Sequence, residues 1–384
     1  MRIIRLATRE SALALWQTRH VATLLQIAHP QLRVELVPMT TRGDQLLDVS
    51  LSKIGGKGLF LKELEVAMQE GRADAAIHSL KDVPMQLDAE FELAAVLKRD
   101  NPFDAFISPH FASLDDLPIG AVLGTSSQRR QVQLKQFRPD IQIKDLRGNI
   151  NTRLAKCANG DFDAIILACA GLERLGLHEQ IRQELKPDRW WPAVAQGAIA
   201  VESLSAHPEI SALFAVLNDK PTELRVRAER AMNKQLHGSC QVPVAAYAEI
   251  NGDTMTMTGW VGDATNIRSI TAHAHGDAKD PEALGQKVAD LLFAQGAAEL
   301  LNIAEGALLA APRINNTRHQ GTACRAPTSI IQTHHMFCFG EKQPAPNEHT
   351  TDAADGGKAI QPWLIQSPSQ QASDGWQCKT ENST

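Results

Sequence analysis

Gly71-Arg72-Ala73-Asp74-Ala75-Ala76-Ile77 and Gly160-Asp161-Phe162-Asp163-Ala164-Ile165-Ile166 are the two stretches on which the fold turns. Each reads as the end of a helix, then an aspartate, then a buried strand leading into a polar loop. Their spacing from the threonine-led helix starts before them, at Thr8 and Thr125, differs, so they are not a repeat of fixed period. The echo predicts two similar lobes facing a cleft.

Outward from these stretches, strand-like and helix-like segments alternate. Residues 3–7, 33–39, 74–78 and 92–97 read as strands, with amphipathic helices over 11–28, capped at Ser11 or a neighbour, and from about 59 to 70. The pattern restarts with strands at 105–108, 121–124, 141–145 and 164–167. Such alternation predicts parallel sheet with helices on both faces and ligands at the carboxyl ends of the strands. After Pro221 a helix runs to about His237-Gly238. Three strand-like runs follow, 243–250, 255–261 and 268–275, with Asn251-Gly252 as a hairpin turn between the first two. A long helix over about 281–301 closes this small α+β unit. From Arg313 to Thr384 there is one leucine and no valine among Gln, Thr, Ser, Pro, Asn and His, a composition that predicts disorder.

The chemistry concentrates between Gly124 and Arg153. GTSSQRR sets Thr125, Ser126 and Ser127 at a helix start directly after a short apolar run. Unpaired backbone N–H groups and the helix dipole favour an anion there. Arg129 and Arg130 follow at once, and Arg147 and Arg153 arrive on the next strand–loop–helix unit. Each guanidinium is a planar fork matched to carboxylate or phosphate. Together they predict a site for a small, multiply anionic ligand. At the end of another predicted strand stands His78-Ser79-Leu80-Lys81-Asp82-Val83-Pro84. Asp82 reads either as a carboxylate that stabilises developing positive charge or as part of a surface turn, and His78 as a packed core histidine. Gly55-Gly56-Lys57-Gly58 fits neither a dinucleotide nor a Walker loop and offers one cation on a glycine loop.

Bulk properties narrow the class. The 384 residues are 43% hydrophobic, enough for two or three cores, and the net charge of −5 gives no global basic field. With only 5% aromatic residues there are too few rings for base-stacking platforms, so nucleic acid is excluded as a partner. The amino-terminal stretch has no secretory pattern. No stretch reaches the roughly 18–20 apolar residues that a membrane span needs. A soluble, cytoplasmic protein is expected. The six cysteines, 157, 169, 240, 324, 338 and 378, form no CxxC pair, and no metal site is expected. Cys169 reads as core. Cys240, on the loop Gly238-Ser239-Cys240-Gln241 between a helix end and a strand, is open to two readings: packing, or a nucleophile or attachment point.

Taken alone, these residues describe a two-lobed anion-binding enzyme without a named substrate. Eight blocks carry a resemblance further: ATRESALALWQ (7–17), VPMTTRGD (37–44), GGKGLFLKELE (55–65), HSLKDVP (78–84), GTSSQRR (124–130), LRGNINTRL (146–154), DAIILACAGLERLGL (163–177) and GSCQVPVAAYAE (238–249). In sequence and order the chain resembles the porphobilinogen deaminase, or hydroxymethylbilane synthase, family over nearly all of residues 1–302. The resemblance implies two periplasmic-binding-protein-like lobes, 1–98 with 199–217 and 99–198, then an α+β cofactor-attachment domain at 218–302, with 303–384 as a tail. It implies a monomeric transferase of tetrapyrrole synthesis that joins four porphobilinogen units, with loss of ammonia, into 1-hydroxymethylbilane. The primer would be a dipyrromethane cofactor held by a thioether at Cys240. Asp82 matches the catalytic aspartate. Lys81, Thr125, Ser127, Arg129, Arg130 and Arg147 match cofactor-binding positions, and Arg9, Ser11, Lys57 and Arg153 match substrate-binding ones. Ala195 stands where the family commonly has glycine, near the interlobe hinge, and a positive φ there would strain it. The competing readings are a non-catalytic small-anion-binding two-lobe protein and a phosphate-handling transferase.

Overall fold

A computed structural model describes residues 2–41, 61–236 and 242–301, which all lie in one compact unit, Met1–Asn315. The tail from 303, for which disorder was expected, lies outside the described residues.

Strand β1 (Ile3–Arg9) leads into helix α1 (Ala12–Ala28), whose amino end Ser11 caps by accepting the Ala14 N–H at 3.3 Å. Gln17, Thr18, Val21, Ala22 and Leu25 form its buried face at helical spacing. Strands β2 (Arg33–Met39), β3 (Ala75–Ser79) and β4 (Phe91–Val96), with helix α2 (Lys62–Gln69), belong to the same sheet system. The second begins with β5 (Asp104–Ile107) and β6 (Val122–Gly124), then α3 (Gln128–Phe137), β7 (Gln142–Lys144), α4 (Ile150–Ala158), β8 (Ala164–Ala168), α5 (Cys169–Arg174) and β9 (Gln183–Leu185). The chain then returns as β10 (Ile199–Leu204) to the first sheet.

The two five-stranded sheets have the orders β2-β1-β3-β10-β4 and β7-β6-β8-β5-β9. In each, three strands in the order second-first-third run parallel, and a fourth, antiparallel strand separates them from the last. The expected parallel sheets are therefore mixed. The antiparallel strands, β5 and β10, are the two that follow a crossing between the sheets, and a strand entering from the opposite lobe arrives with opposite direction. Alternation along the strands fills both faces of each sheet. Ile4, Leu6, Ala75 and Ile77 lie in one core and Ala7 and Ala76 in another, while Ala105, Ile107, Ile165 and Leu167 are separated from Phe106, Ala164 and Ile166.

The echoed heptapeptides do the same job twice. Gly71 and Gly160, with φ of +68° and +85°, each close the preceding helix with paired turn hydrogen bonds, from Gly71 to Met68 and Arg72 to Ala67, and from Gly160 to Cys157 and Asp161 to Lys156. The carboxylates of Asp74 and Asp163 then each accept a backbone N–H at the neighbouring first strand, that of Arg5 and that of Val122, both at 2.7 Å.

Helices α6 (Pro208–Phe214) and α7 (Lys220–Gln235) lead to an antiparallel sheet of β11 (Val244–Asn251), β12 (Thr254–Asp263) and β13 (Arg268–Asp277). The register pairs Asn251 with Thr254, so the hairpin turn sits at Gly252-Asp253, one residue later than expected. The single closing helix is two, α8 (Pro281–Ala294) and α9 (Ala297–Leu300), because Gly296 takes φ +98° between them.

Two crossovers, 97–103 and 186–198, join the mixed sheets. Ala195, in the second, has φ +59° and is fully buried. Two residues on, Gly197 has φ +90°, and a methyl there would lie 2.7 Å from the Asp100 carbonyl oxygen. An alanine in the left-handed region costs about 1–2 kcal/mol. Glycine at an ordinary buried site gives up a methyl and backbone entropy, together about 1.5 kcal/mol. At Ala195 these effects oppose. Ala195→Gly is therefore expected to change unfolding free energy in denaturant by less than about 0.5 kcal/mol, and Ala198→Gly, at negative φ, to lose about 1.5 kcal/mol.

Candidate active site

The carboxyl ends of β1, β3 and β8 open on a cavity of about 590 Å³ between the two mixed sheets. Arg9 and Ser11 enter it from the end of β1 and the start of α1, and Lys81 and Asp82 from the short turn after β3. Arg147 and Arg153 approach from the loop and first turn at α4, where the Asn149 side chain caps the helix through the Thr152 N–H at 3.0 Å. With Arg130 and Arg174, six cationic side chains among the described residues line the cavity, against the carboxylates of Glu10 and Asp82.

The six cations are not equivalent. Arg174 bonds Asp100 at 2.9 Å and the Gly197 carbonyl at 2.6 Å. Arg130 donates to Asp104 at 2.6 Å and to the Ile166 carbonyl at 2.7 Å. Arg153 has its Nε on the Gly148 carbonyl at 2.7 Å, and burial, then the charges of Arg130 and Arg147, pull its guanidinium down to about 10. Burial likewise brings the Lys81 ammonium down to about 8, although Asp82 beside it works the other way. Like charges crowded to this degree favour an anionic ligand.

Other expected site residues stand behind this lining. Arg129 is buried and bonds Asp104 at 2.8 Å and the Trp191 carbonyl at 2.6 Å. Thr125 is buried, its Oγ1 accepting the Ser127 N–H at 3.3 Å. Ser127 is the N-cap position of α3, but its side chain caps nothing. Ser126 instead bridges to the next loop, bonding both backbone groups of Leu146 at 3.1 Å. Neither Arg129, Thr125 nor Ser127 lines the cavity. Cys240 and Lys57 lie outside the described residues. His78 is buried, as expected, with Nε2 2.8 Å from Glu202. Burial raises the Cys157 thiol to about 11 and the Cys169 thiol further, which suits packing and not nucleophilic chemistry.

Sequence reasoning missed the carboxylate that organises the arginine pair. Asp104, fully buried at the start of β5, takes Arg130 and Gln196 on Oδ1 and Arg129 and the Trp190 indole on Oδ2. The two guanidinium groups hold it far below the ordinary carboxylate range, against its burial. A lone aspartate before Ala105-Phe106-Ile107 carries no sequence signal for such a partner set. Gln196, Arg174, Arg99 and Glu229 were missed for the same reason.

With this geometry in place, comparison with known proteins gives a consistent result. Residues 4–212 match the family described as "Porphobilinogen deaminase, dipyromethane cofactor binding domain", and 223–294 match "Porphobilinogen deaminase, C-terminal domain". Porphobilinogen deaminase of Stenotrophomonas maltophilia (strain K279a) is 60% identical over 303 residues, which cover 79% of this chain and all of that protein. The Xanthomonas euvesicatoria pv. vesicatoria protein of the same name is 58% identical over 301 residues, 78% of this chain and 99% of its own. A solved structure of the methionine-binding protein MetQ is similar at a TM-score of 0.38 and 12% identity, covering 56% of this chain and 89% of that one. The chain belongs to the porphobilinogen deaminase family.

Asp104→Asn removes the charge that compensates two buried guanidinium groups, and a loss of about 3–5 kcal/mol in denaturant unfolding is expected. Because the carboxylate is held low in the folded state, its contribution is complete above the unfolded value of about 3.9 and fades as pH falls below it. The gap between wild type and variant is therefore expected to stay constant from about pH 7 to about pH 5 and to narrow in stronger acid.

Proposed function

From that family membership and the cation-lined cavity together, we infer that the chain is a transferase that joins four porphobilinogen molecules head to tail, releasing ammonia, into 1-hydroxymethylbilane. The observation that carries the reading is the cavity itself, six cationic side chains around the Asp82 carboxylate. Each pyrrole of this chemistry bears an acetate and a propionate, so the ligand is a polyanion. The dipyrromethane cofactor supplies, when bound, the pyrrole carbon to which the first unit is joined. Four carboxylates on two rings are opposite in charge to the arginine-rich lining, which is the sense in which the residues present fit the group.

The roles follow from position and charge. Lys81, Arg130 and Arg147 hold carboxylates of the cofactor; Arg9, Ser11 and Arg153 hold those of the incoming substrate. A planar guanidinium orients a ring carboxylate as well as binding it. Asp82 is exposed to the cavity next to Lys81. Its carboxylate accepts pyrrole N–H groups and stabilises the positive charge on the substrate ring as ammonia departs, which lowers the barrier to carbon–carbon bond formation. Arg129, Thr125 and Ser127 act from behind, Arg129 by sharing Asp104 with Arg130 and the other two by shaping the loop before α3. Cys240 is the thioether attachment point and Lys57 a further substrate cation, both by resemblance.

The lobes are taken as 1–98 with 199–217 and 99–198, and the attachment domain as 218–302. The enzyme works as a cytoplasmic monomer with no nucleic-acid or membrane partner; net charge and composition support the absence of a nucleic-acid partner, and the monomer follows the family resemblance. Among the described residues no helix is long and apolar enough to cross a membrane.

The intact mass of the purified chain is expected to exceed the sequence mass by two linked pyrroles, and Cys240→Ser to lack the excess. An unmodified wild-type chain that gains nothing on incubation with porphobilinogen overturns the assignment in favour of a non-catalytic anion-binding protein. Asp82→Asn is expected to keep the mass excess while losing nearly all turnover, measured as hydroxymethylbilane release. The pH profile carries a further check: turnover is expected to fall above about pH 8, as Lys81 discharges in the buried site and its grip on carboxylate is lost.

A further inference from the structure

Between the left-handed residues Ala195 and Gly197 sits Gln196, buried at the floor of the cavity. Its backbone is held on both sides. The preceding N–H, that of Ala195, donates to Glu229 Oε2 at 2.7 Å, and the Gln196 carbonyl accepts from Arg99 Nε at 2.8 Å. Arg99 and Glu229 are themselves a buried two-pronged pair, with Nη1 to Oε1 at 2.7 Å and Nη2 to Oε2 at 3.2 Å. A peptide clamped in this way has one orientation, and so has the side chain it carries.

That side chain has no ambiguity in its amide. Nε2 donates to the Pro102 carbonyl at 2.8 Å and to Asp104 Oδ1 at 2.9 Å, and a nitrogen is required facing two acceptors. Oε1 is thereby turned to Lys81, whose Nζ donates to it at 3.2 Å. One glutamine thus connects the carboxylate that fixes the arginine pair to the ammonium beside Asp82. We propose that Gln196 is a positioning residue of this site, aimed by the Arg99–Glu229 clamp so that its amide oxygen holds the Lys81 ammonium at the cavity and its amide nitrogen locks that ammonium to the Asp104–arginine cluster. The effect on turnover rests on the function proposed above; the effect on Lys81 does not.

The test therefore reads Lys81 directly. In the full chain as purified, the rate of Lys81 amidination is followed against pH by peptide mass spectrometry in wild type, Gln196→Met and Gln196→Glu. Met fills a similar volume without an acceptor for the ammonium, and the titration midpoint of Lys81 is expected to fall by about one pH unit. Glu places a carboxylate beside the ammonium, and the midpoint is expected to rise. Opposite shifts are not what a merely structural glutamine would give, and either variant alone decides the matter if the other fails to fold. A Lys81 midpoint unchanged from wild type in a folded variant overturns the proposal. Turnover is expected to fall roughly tenfold or more in Gln196→Met. If the wild-type chain proves to carry no pyrrole adduct, the function fails while the Lys81 shifts still judge the positioning role.

Discussion

The Glu229 carboxylate is the point at which the three sheets are tied together. From α7 its two oxygens take both terminal nitrogens of Arg99 on the first crossover, the Ala195 N–H on the second, and the Ala248 N–H on β11 at 3.0 Å. An unpaired charge at this depth would be strongly destabilising, and one with four donors is not. The consequence is geometric. Both chain segments that pass between the mixed sheets are fixed to the same carboxylate, so the cavity they floor is defined by one buried ion pair.

The same logic separates the cations of the site into two classes. Arg129 and Arg130 are anchored by Asp104 and the carbonyls of Trp191 and Ile166, Arg129 behind the lining and Arg130 within it, so their charge is fixed in place. Arg147, Arg153, Arg9 and Lys81 line the cavity, and the depressed values of Arg153 and Lys81 record loss of water first and then repulsion from neighbouring guanidinium groups, Arg130 foremost. A polyanion entering relieves that repulsion. Binding energy is therefore prepared in advance by the fold, which holds like charges together where they would otherwise separate.

Much of this was legible in the sequence wherever the signal was local. Strand β2 falls on its predicted residues, and Ser11 caps α1. The two glycine–aspartate echoes marked two equivalent lobes because each encodes a helix stop and a strand anchor within seven residues. The direction of β5 and β10 was not legible, since it depends on which lobe a strand joins and not on its composition. Nor could spacing show that GTSSQRR divides, with Arg130 at the cavity and Arg129, Thr125 and Ser127 behind it. Asp104, Gln196 and Glu229 escaped because a single buried polar residue has no period. Its meaning lies in partners distant along the chain, such as the Arg99 that Glu229 holds.

Ala195 brings these strands of argument to one residue. Alanine at φ +59° breaks a local rule, and its methyl is fully buried where it cannot relax. The conformation persists because the bonds from Glu229 and Arg99 on either side of the Ala195–Gln196 peptide outweigh a strain of about 1–2 kcal/mol. The turn could have been relieved by a small shift of the backbone. That shift would swing Gln196 away from Lys81 and Asp104, and would leave a buried amide and a buried ammonium with fewer partners. The strain is retained at the position where relaxing it would disconnect the site, and it is there that a sequence departs from local preference without loss of the fold.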